Sequence, residues 1–265
     1  MSGGATIAGT VSLSGRDSSA GGPVKVRLGP AGPGTGIWFN GRTRATLSNA
    51  HECGHATCLG RSARKVRMVE HLLAACYGLG ITDLAVETIG STLPIGDGSA
   101  EPYARLLMKA GIVRYEAGPV PARLRRPVLV RQGVRFIAAV PARGLTVNCL
   151  TRFAEFGTQF CAFTATPAAF LPAVARARTL ARTGMSPAAF RKRLGLPFRL
   201  KRVGRFVCAE RWRFPDEPCR HKALDLLGDL ALLGRPLEAE VFAFMPGHRL
   251  NIAFARNVER ELEAR

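Results

Sequence analysis

The sequence predicts an α+β fold of two similar halves, each a mixed sheet with helices. Two apolar, helix-like runs carry the main signal, Val69-Glu70-His71-Leu72-Leu73-Ala74-Ala75-Cys76-Tyr77-Gly78-Leu79-Gly80 and the run from Arg220-His221-Lys222 to Gly228-Asp229-Leu230. Each has a histidine near its start, ends near a glycine and leads into an apolar strand, at 83–89 and 238–245. One supersecondary unit thus recurs after roughly 150 residues, which suggests duplication and pseudo-symmetry. Between the two copies, Gly118-Pro119-Val120-Pro121 is the best linker candidate, dividing the chain into an N-terminal half, 1–118, and a C-terminal half, 122–265. At 265 residues the chain is long enough to bury a sizeable core.

In chain order, residues 6–13, 24–28 and 37–39 read as strands; Val24, Val26 and Leu28 alternate with charged residues, the period of a half-buried strand. A helix over 67–80, the strand 83–89 and a helix over 99–110 complete the first half. After the linker, 128–135 and 146–152 read as strands, 167–179 and 218–234 as helices, and 238–245 as a strand. A last helix starts near Gly247.

The chemistry concentrates on the second apolar run. A helix turns once every 3.6 residues, so His221 and Asp225 share one face a turn apart, able to bind one metal ion from the same side. Lys222 lies beside them and Asp229 continues the stripe. These polar groups on an apolar helix need partners if buried, so a core helix with internal salt bridges is the competing reading. If the halves pack face to face, His71 approaches His221, and His71, His221 and Asp225 make three ligands with a fourth position open, the catalytic pattern for zinc. Glu70, next to a ligand, is then placed to act on water as general base, Lys222 to offset a developing oxyanion, and His248, partnered by Asp229, to act as general acid or electrostatic stabiliser.

Several blocks together resemble the zinc-dependent UDP-3-O-acyl-N-acetylglucosamine deacetylases of bacterial lipid A synthesis. They are Val69-Glu70-His71-Leu72 with Ala74-Ala75 and Gly78-Leu79-Gly80-Ile81; Asp97-Gly98-Ser99-Ala100; Ala177-Arg178-Thr179; Phe214, Asp216-Glu217, Arg220-His221-Lys222, Leu224-Asp225 and Gly228-Asp229-Leu230; and Gly247-His248 with Leu250-Asn251. They follow the family's order over nearly the whole chain. The resemblance implies Zn2+ on His71, His221 and Asp225, with Glu70 as general base and His248 as general acid oriented by Asp229. It also implies Thr179 and Lys222 at the tetrahedral intermediate, and helices sandwiched between two sheets with zinc at the seam.

Two segments depart from the family pattern. Gly15-Arg16-Asp17-Ser18-Ser19-Ala20-Gly21 stands where the family has Gly-Val-Gly-Leu-His-Thr-Gly. After Thr179, the family's apolar acyl-tunnel insert is replaced by a stretch with Arg191-Lys192-Arg193, Arg199, Lys201-Arg202 and Arg205. Either these charges face outward while Phe190, Leu194, Leu196, Phe198 and Leu200 line a tunnel, or the protein binds no long acyl chain. A related zinc deacetylase acting on another N-acetylated sugar is therefore the first alternative, and a basic anion-binding protein on the same fold the second.

His51-Glu52-Cys53-Gly54-His55 satisfies the HExxH pattern, which needs a regular helix to bring both histidines to one metal. Gly54 interrupts it and no apolar stripe flanks it, so a loop is expected; an accidental second metal on His51, His55, Cys53 and Cys58 ranks below that. The seven cysteines show no CxxC spacing, which suggests reduced thiols and no disulfide framework.

The net charge is +19, and only six of the 38 basic residues are lysines. Such an excess favours anionic partners, here a nucleotide-sugar substrate and, at the outer face, peripheral contact with an anionic membrane. Specific nucleic-acid binding is not expected, because aromatics make up 7% and no recognition helix, zinc-finger spacing or RNP motif is present. No apolar run approaches 18 residues and the first residues lack a signal-peptide pattern, so a cytoplasmic location is expected.

Overall fold

The computed structural model describes residues 3–62 and 65–264. It contains helices α1 (Glu70–Leu79), α2 (Glu101–Lys109), α3 (Pro167–Phe170), α4 (Pro187–Leu194), α5 (Glu217–Leu230) and α6 (His248–Glu263). Two five-strand layers frame them. The first runs Val11–Arg16, Pro23–Gly29, Leu84–Ile89, Ile37–Phe39, Thr43–Arg44; the second runs Val128–Gln132, Arg135–Pro141, Leu237–Phe244, Leu145–Phe153, Gly157–Thr164. A short strand, Ala122–Arg123, also joins Leu237–Phe244.

The two layers share one topology. In each, a hairpin forms one side, a second hairpin the other, and the strand that follows the buried helix inserts between them. That strand pairs antiparallel to the first hairpin and parallel to the second. The duplication read from the apolar runs is therefore visible in strand order, and the α+β class with mixed sheets holds. No sheet among the described residues joins strands from both sides of 118–121. Nearly every residue of α1 and α5 is buried, which puts these helices between layers instead of on a surface. One hydrophobic cluster runs through both, from Val26, Leu28 and Val86 of the first sheet to Val147, Ala239 and Val241 of the second.

Close approach of α1 to α5 depends on Gly228. A Cβ there would stand 2.2 Å from the Glu70 carbonyl oxygen, so only glycine lets α5 rest on the first turn of α1. That contact sets the catalytic-looking residues of the two helices side by side.

Several boundaries differ from expectation. Residues 6–13 are two strands: Gly4–Ile7 pairs with Ile112–Tyr115, and Val11–Arg16 enters the first sheet. The first long helix begins at Glu70, because Arg67 pairs in a strand and Met68 takes φ 61°. Residues 128–135 are cut by a turn at Gly133. The helix expected over 167–179 stops at Phe170 and widens over Leu171–Ala175; Pro172 has no N–H to continue the ladder. The HExxH segment is a hairpin, Ala50–Cys53 with Ala56–Leu59, turning at Gly54 and His55. Cys53 and Cys58 are joined in a disulfide there, so the expectation of reduced thiols fails for this pair and holds for Cys76, Cys149, Cys161, Cys208 and Cys219.

Candidate active site

The first turn of α1 presents Glu70 and His71; α5 presents His221, Asp225 and Asp229 at four-residue steps; α6 begins with His248. All six are buried. His221 and His71 meet edge to face, ring centroids 5.1 Å apart. Their Nε2 atoms lie 3.3 Å and 3.8 Å from Asp225 Oδ1, in that order. His221 Nδ1 donates to the Ala177 carbonyl at 2.9 Å, which leaves its Nε2 lone pair facing Asp225. Asp225 Oδ2 accepts from Lys222 Nζ at 2.8 Å, whereas Oδ1, though buried, has no hydrogen-bond partner among the described residues.

Charge states follow from the surroundings. Burial, with His221 beside it, pushes His71 down to about 3, and burial lowers His221 too, so both rings are neutral donors. Burial opposes ionisation of Asp225, yet His221, Lys222 and His248 hold its carboxyl well below the usual carboxylate range. Two neutral imidazoles and a carboxylate, with an orphaned oxygen between them, are a donor set that fits a divalent cation.

Glu70 and His248 flank this group. Burial pushes the Glu70 carboxyl up to about 7, and its Oε1 lies 3.9 Å from His248 Nε2. Burial works against a charged His248, but Asp229 and Asp225 outweigh it and raise the ring to about 9. Asp229 Oδ2 accepts from His248 Nδ1 at 2.9 Å and from Asn251 Nδ2 at 2.8 Å. Asp229 lies behind His248, fully buried.

Thr57, which sequence reasoning missed, ties these groups together. Its N–H donates to Glu70 Oε2 at 3.0 Å, its hydroxyl donates to Asp229 Oδ1, and the same hydroxyl is 3.0 Å from His248 Nδ1. Nothing local marks it, since it stands two residues past the HExxH segment and its Asp229 partner is 172 residues away.

A cavity of about 650 Å³ opens over the group, lined by Glu70, His71, Thr179, His221, Lys222, Asp225 and His248. Seven of the eight expected site residues therefore share one cavity and the eighth, Asp229, backs it. The Asp97-Gly98-Ser99 turn sets Thr179 in the wall: Thr179 N–H donates to the Gly98 carbonyl at 2.8 Å, and Gly98 takes φ 87°. Arg67, Arg135, Arg182, Arg193 and Arg249 add a strongly positive lining. Ser18 and Ser19 sit at the wall, where the family pattern departs.

The residues of the basic insert divide between the cavity wall and a small core. Phe190 lines the cavity, but Leu194 and Leu196 are buried with Ile95 in a separate small core, and Phe198 and Leu200 pack against it. Arg193 faces the cavity, so the charges are not all outward.

The sequence profile of the UDP-3-O-acyl N-acetylglycosamine deacetylase (LpxC) family matches residues 4–260. Relatives named UDP-3-O-acyl-N-acetylglucosamine deacetylase include that of Chlamydia pneumoniae, 34% identical over 90% of this chain and 90% of its own length. Those of Solibacter usitatus and Thermosynechococcus vestitus are 33% and 34% identical over 96% and 97% of this chain, and 90% and 94% of their own. A match across nearly the whole chain shows that this protein belongs to the UDP-3-O-acyl N-acetylglycosamine deacetylase family.

Proposed function

We propose that the protein is a zinc-dependent amidohydrolase that removes the N-acetyl group of UDP-3-O-acyl-N-acetylglucosamine in lipid A biosynthesis. The observation that carries this reading is the unpartnered Asp225 Oδ1 between the Nε2 atoms of His71 and His221, with Glu70 and His248 on its flank. His71, His221 and Asp225 would hold Zn2+, and the ion supplies Lewis acidity, polarising the amide carbonyl and acidifying water.

Glu70 takes a proton from the attacking water; its raised pKa, about 7, suits a base working near neutrality. As oxygen bonds to the carbonyl carbon, negative charge grows on the carbonyl oxygen, where Lys222 and the Thr179 hydroxyl offset it. His248, kept protonated by Asp229, gives its proton to the amide nitrogen, the C–N bond breaks, and acetate and the free amine leave. Asp229 acts through His248 by fixing Nδ1 as the protonated nitrogen. The arginines of the cavity wall suit the diphosphate of a nucleotide sugar.

Leu194 and Leu196 pack behind the cavity-lining Ile95 and Phe190 and do not themselves line the cavity, whereas Arg193 does, which favours a second reading in which the acyl chain is short or absent. Acetate release from a series of UDP-N-acetylglucosamines carrying 3-O-acyl chains of increasing length separates the two. The first reading requires kcat/KM to rise with chain length; a flat or falling series supports the second.

Peripheral contact with an anionic membrane belongs to the same proposal. No helix among the described residues is long and apolar enough to cross a membrane. On the outer face of the second sheet, the pairings Phe136↔Phe244, Leu150↔Phe244 and Leu150↔Phe160 form an apolar row, with Arg131 opposite Phe136 at one end. The row lies one residue from Arg135, Thr151 and Met245 of the cavity wall. We also propose 1–118 and 122–265 as the two domains, a division supported by sheets that do not cross the linker.

A further inference from the structure

The hairpin Ala50–Cys53 with Ala56–Leu59 carries a second cluster of metal-ligating side chains, apart from the group that would hold the catalytic ion. Its register sets His51 opposite Cys58 and Cys53 opposite Ala56. His51, Cys53 and Cys58 therefore share one face of the hairpin, while Glu52 and Thr57 project from the other. Donor atoms of the three lie within 4.8 Å of one another. Cys58 is fully buried and the other two are partly exposed, so the cluster opens to solvent on one side. The Cys53 and Cys58 Cα atoms are 6.0 Å apart, a separation that a disulfide spans and that two thiolates on one cation also tolerate.

We propose that Cys53 and Cys58 are a reversible redox pair whose reduced form, together with His51, binds a second zinc-class cation. Reduction by a dithiol breaks the S–S bond: two electrons and two protons pass to the sulfurs, and the reductant closes into its own disulfide. A cation then displaces both thiol protons to solvent and takes two thiolates and one imidazole nitrogen, leaving one position for water. Two sulfurs and one nitrogen form a softer set than two imidazoles and a carboxylate, so the site selects thiophilic ions. The bridged pair offers no thiolate, and the two states exclude each other.

The site sits close to the catalytic groups through its own hairpin. Thr57, which holds Glu70 and Asp229, adjoins Cys58, and Glu52, Gly54 and His55 line the cavity. The state of the cysteine pair thus acts one residue away from the contact that positions the base.

Cadmium(II) tests the assignment, because thiolate-to-metal charge-transfer absorption arises only from sulfur ligands and His71, His221 and Asp225 contain none. Reduced wild-type protein exchanged into cadmium should bind two equivalents and show the near-ultraviolet band. The same protein oxidised beforehand should bind one equivalent and show none, and this comparison needs no substitution. Reduced Cys53→Ser should likewise bind one equivalent without the band. Absence of the band from the reduced wild type overturns the proposal. A band that survives oxidation or Cys53→Ser does the same, because it places the sulfur ligands among the buried cysteines elsewhere.

Discussion

Glu70 and His248 face each other across 3.9 Å; as the proposed base and acid they have opposite protonation requirements, and their environments supply both. Burial raises the carboxyl to about 7 and the carboxylates around His248 raise the ring to about 9. A base must be deprotonated, so activity climbs as pH rises through the Glu70 pKa. An acid must be protonated, so activity falls as pH rises through that of His248. The expected kcat/KM profile is a bell, with a bound cation pulling both limbs to lower pH. His248→Ala should abolish the alkaline limb as well as lowering the rate, and a profile of unchanged shape in that variant would remove His248 from the acid role. Thr57→Val keeps the N–H to Glu70 but deletes the hydroxyl shared by Asp229 and His248. Loss of one such hydrogen bond is worth about 1 kcal/mol, or roughly fivefold in kcat, with KM little changed. A kinetic comparison with Thr57→Ser, which retains the hydroxyl, checks that the effect belongs to that group.

At the scale of elements, the α1–α5 contact decides whether a site exists. Gly228→Ala puts a methyl 2.2 Å from the Glu70 carbonyl, against backbone that cannot swing away. Helices forced apart this way lose about 1–3 kcal/mol of stability, and His71 should move from Asp225. Both a lower denaturation midpoint and weaker zinc retention are expected, and unchanged values for the two would contradict this role of Gly228. Which elements were legible follows from the same physics. Helices α1, α5 and α6 and the strands Leu84–Ile89 and Leu237–Phe244 carry long apolar patterns that depend little on partners. The strands Ile112–Tyr115 and Gly157–Thr164 and the pair Leu200–Val203 with Phe206–Ala209 went unread, because pairing with distant or adjacent segments defines them. The candidate site was legible wherever residues share a helix face, as His221, Asp225 and Asp229 do. Thr57 was not, since its meaning depends on a partner 172 residues away, and the Cys53–Cys58 bridge depends on hairpin register.

For the whole molecule, a net charge of +19 meets a cavity walled by Arg67, Arg135, Arg182, Arg193 and Arg249. A field of that sign gathers anionic substrate, and mobile ions screen it over about 10 Å at 0.1 M salt. KM for a nucleotide-diphosphate sugar should rise with ionic strength while kcat stays nearly constant. Arg193→Ala should raise KM at low salt and flatten that dependence, and steady-state kinetics across a salt series would show either outcome. The duplicated strand order explains why the catalytic-looking groups converge: each half delivers one buried helix to the seam, and neither half holds His71, His221 and Asp225 alone.

The most direct test of the central claim is acetate release from UDP-3-O-acyl-N-acetylglucosamine by the zinc-loaded protein, wild type beside Glu70→Ala at equal zinc content. The account predicts turnover by the wild type and a loss on the order of 10² or more in the variant, the usual scale for a general base. Equal turnover by both would contradict Glu70 as the base, and no turnover by the zinc-loaded wild type would contradict the substrate.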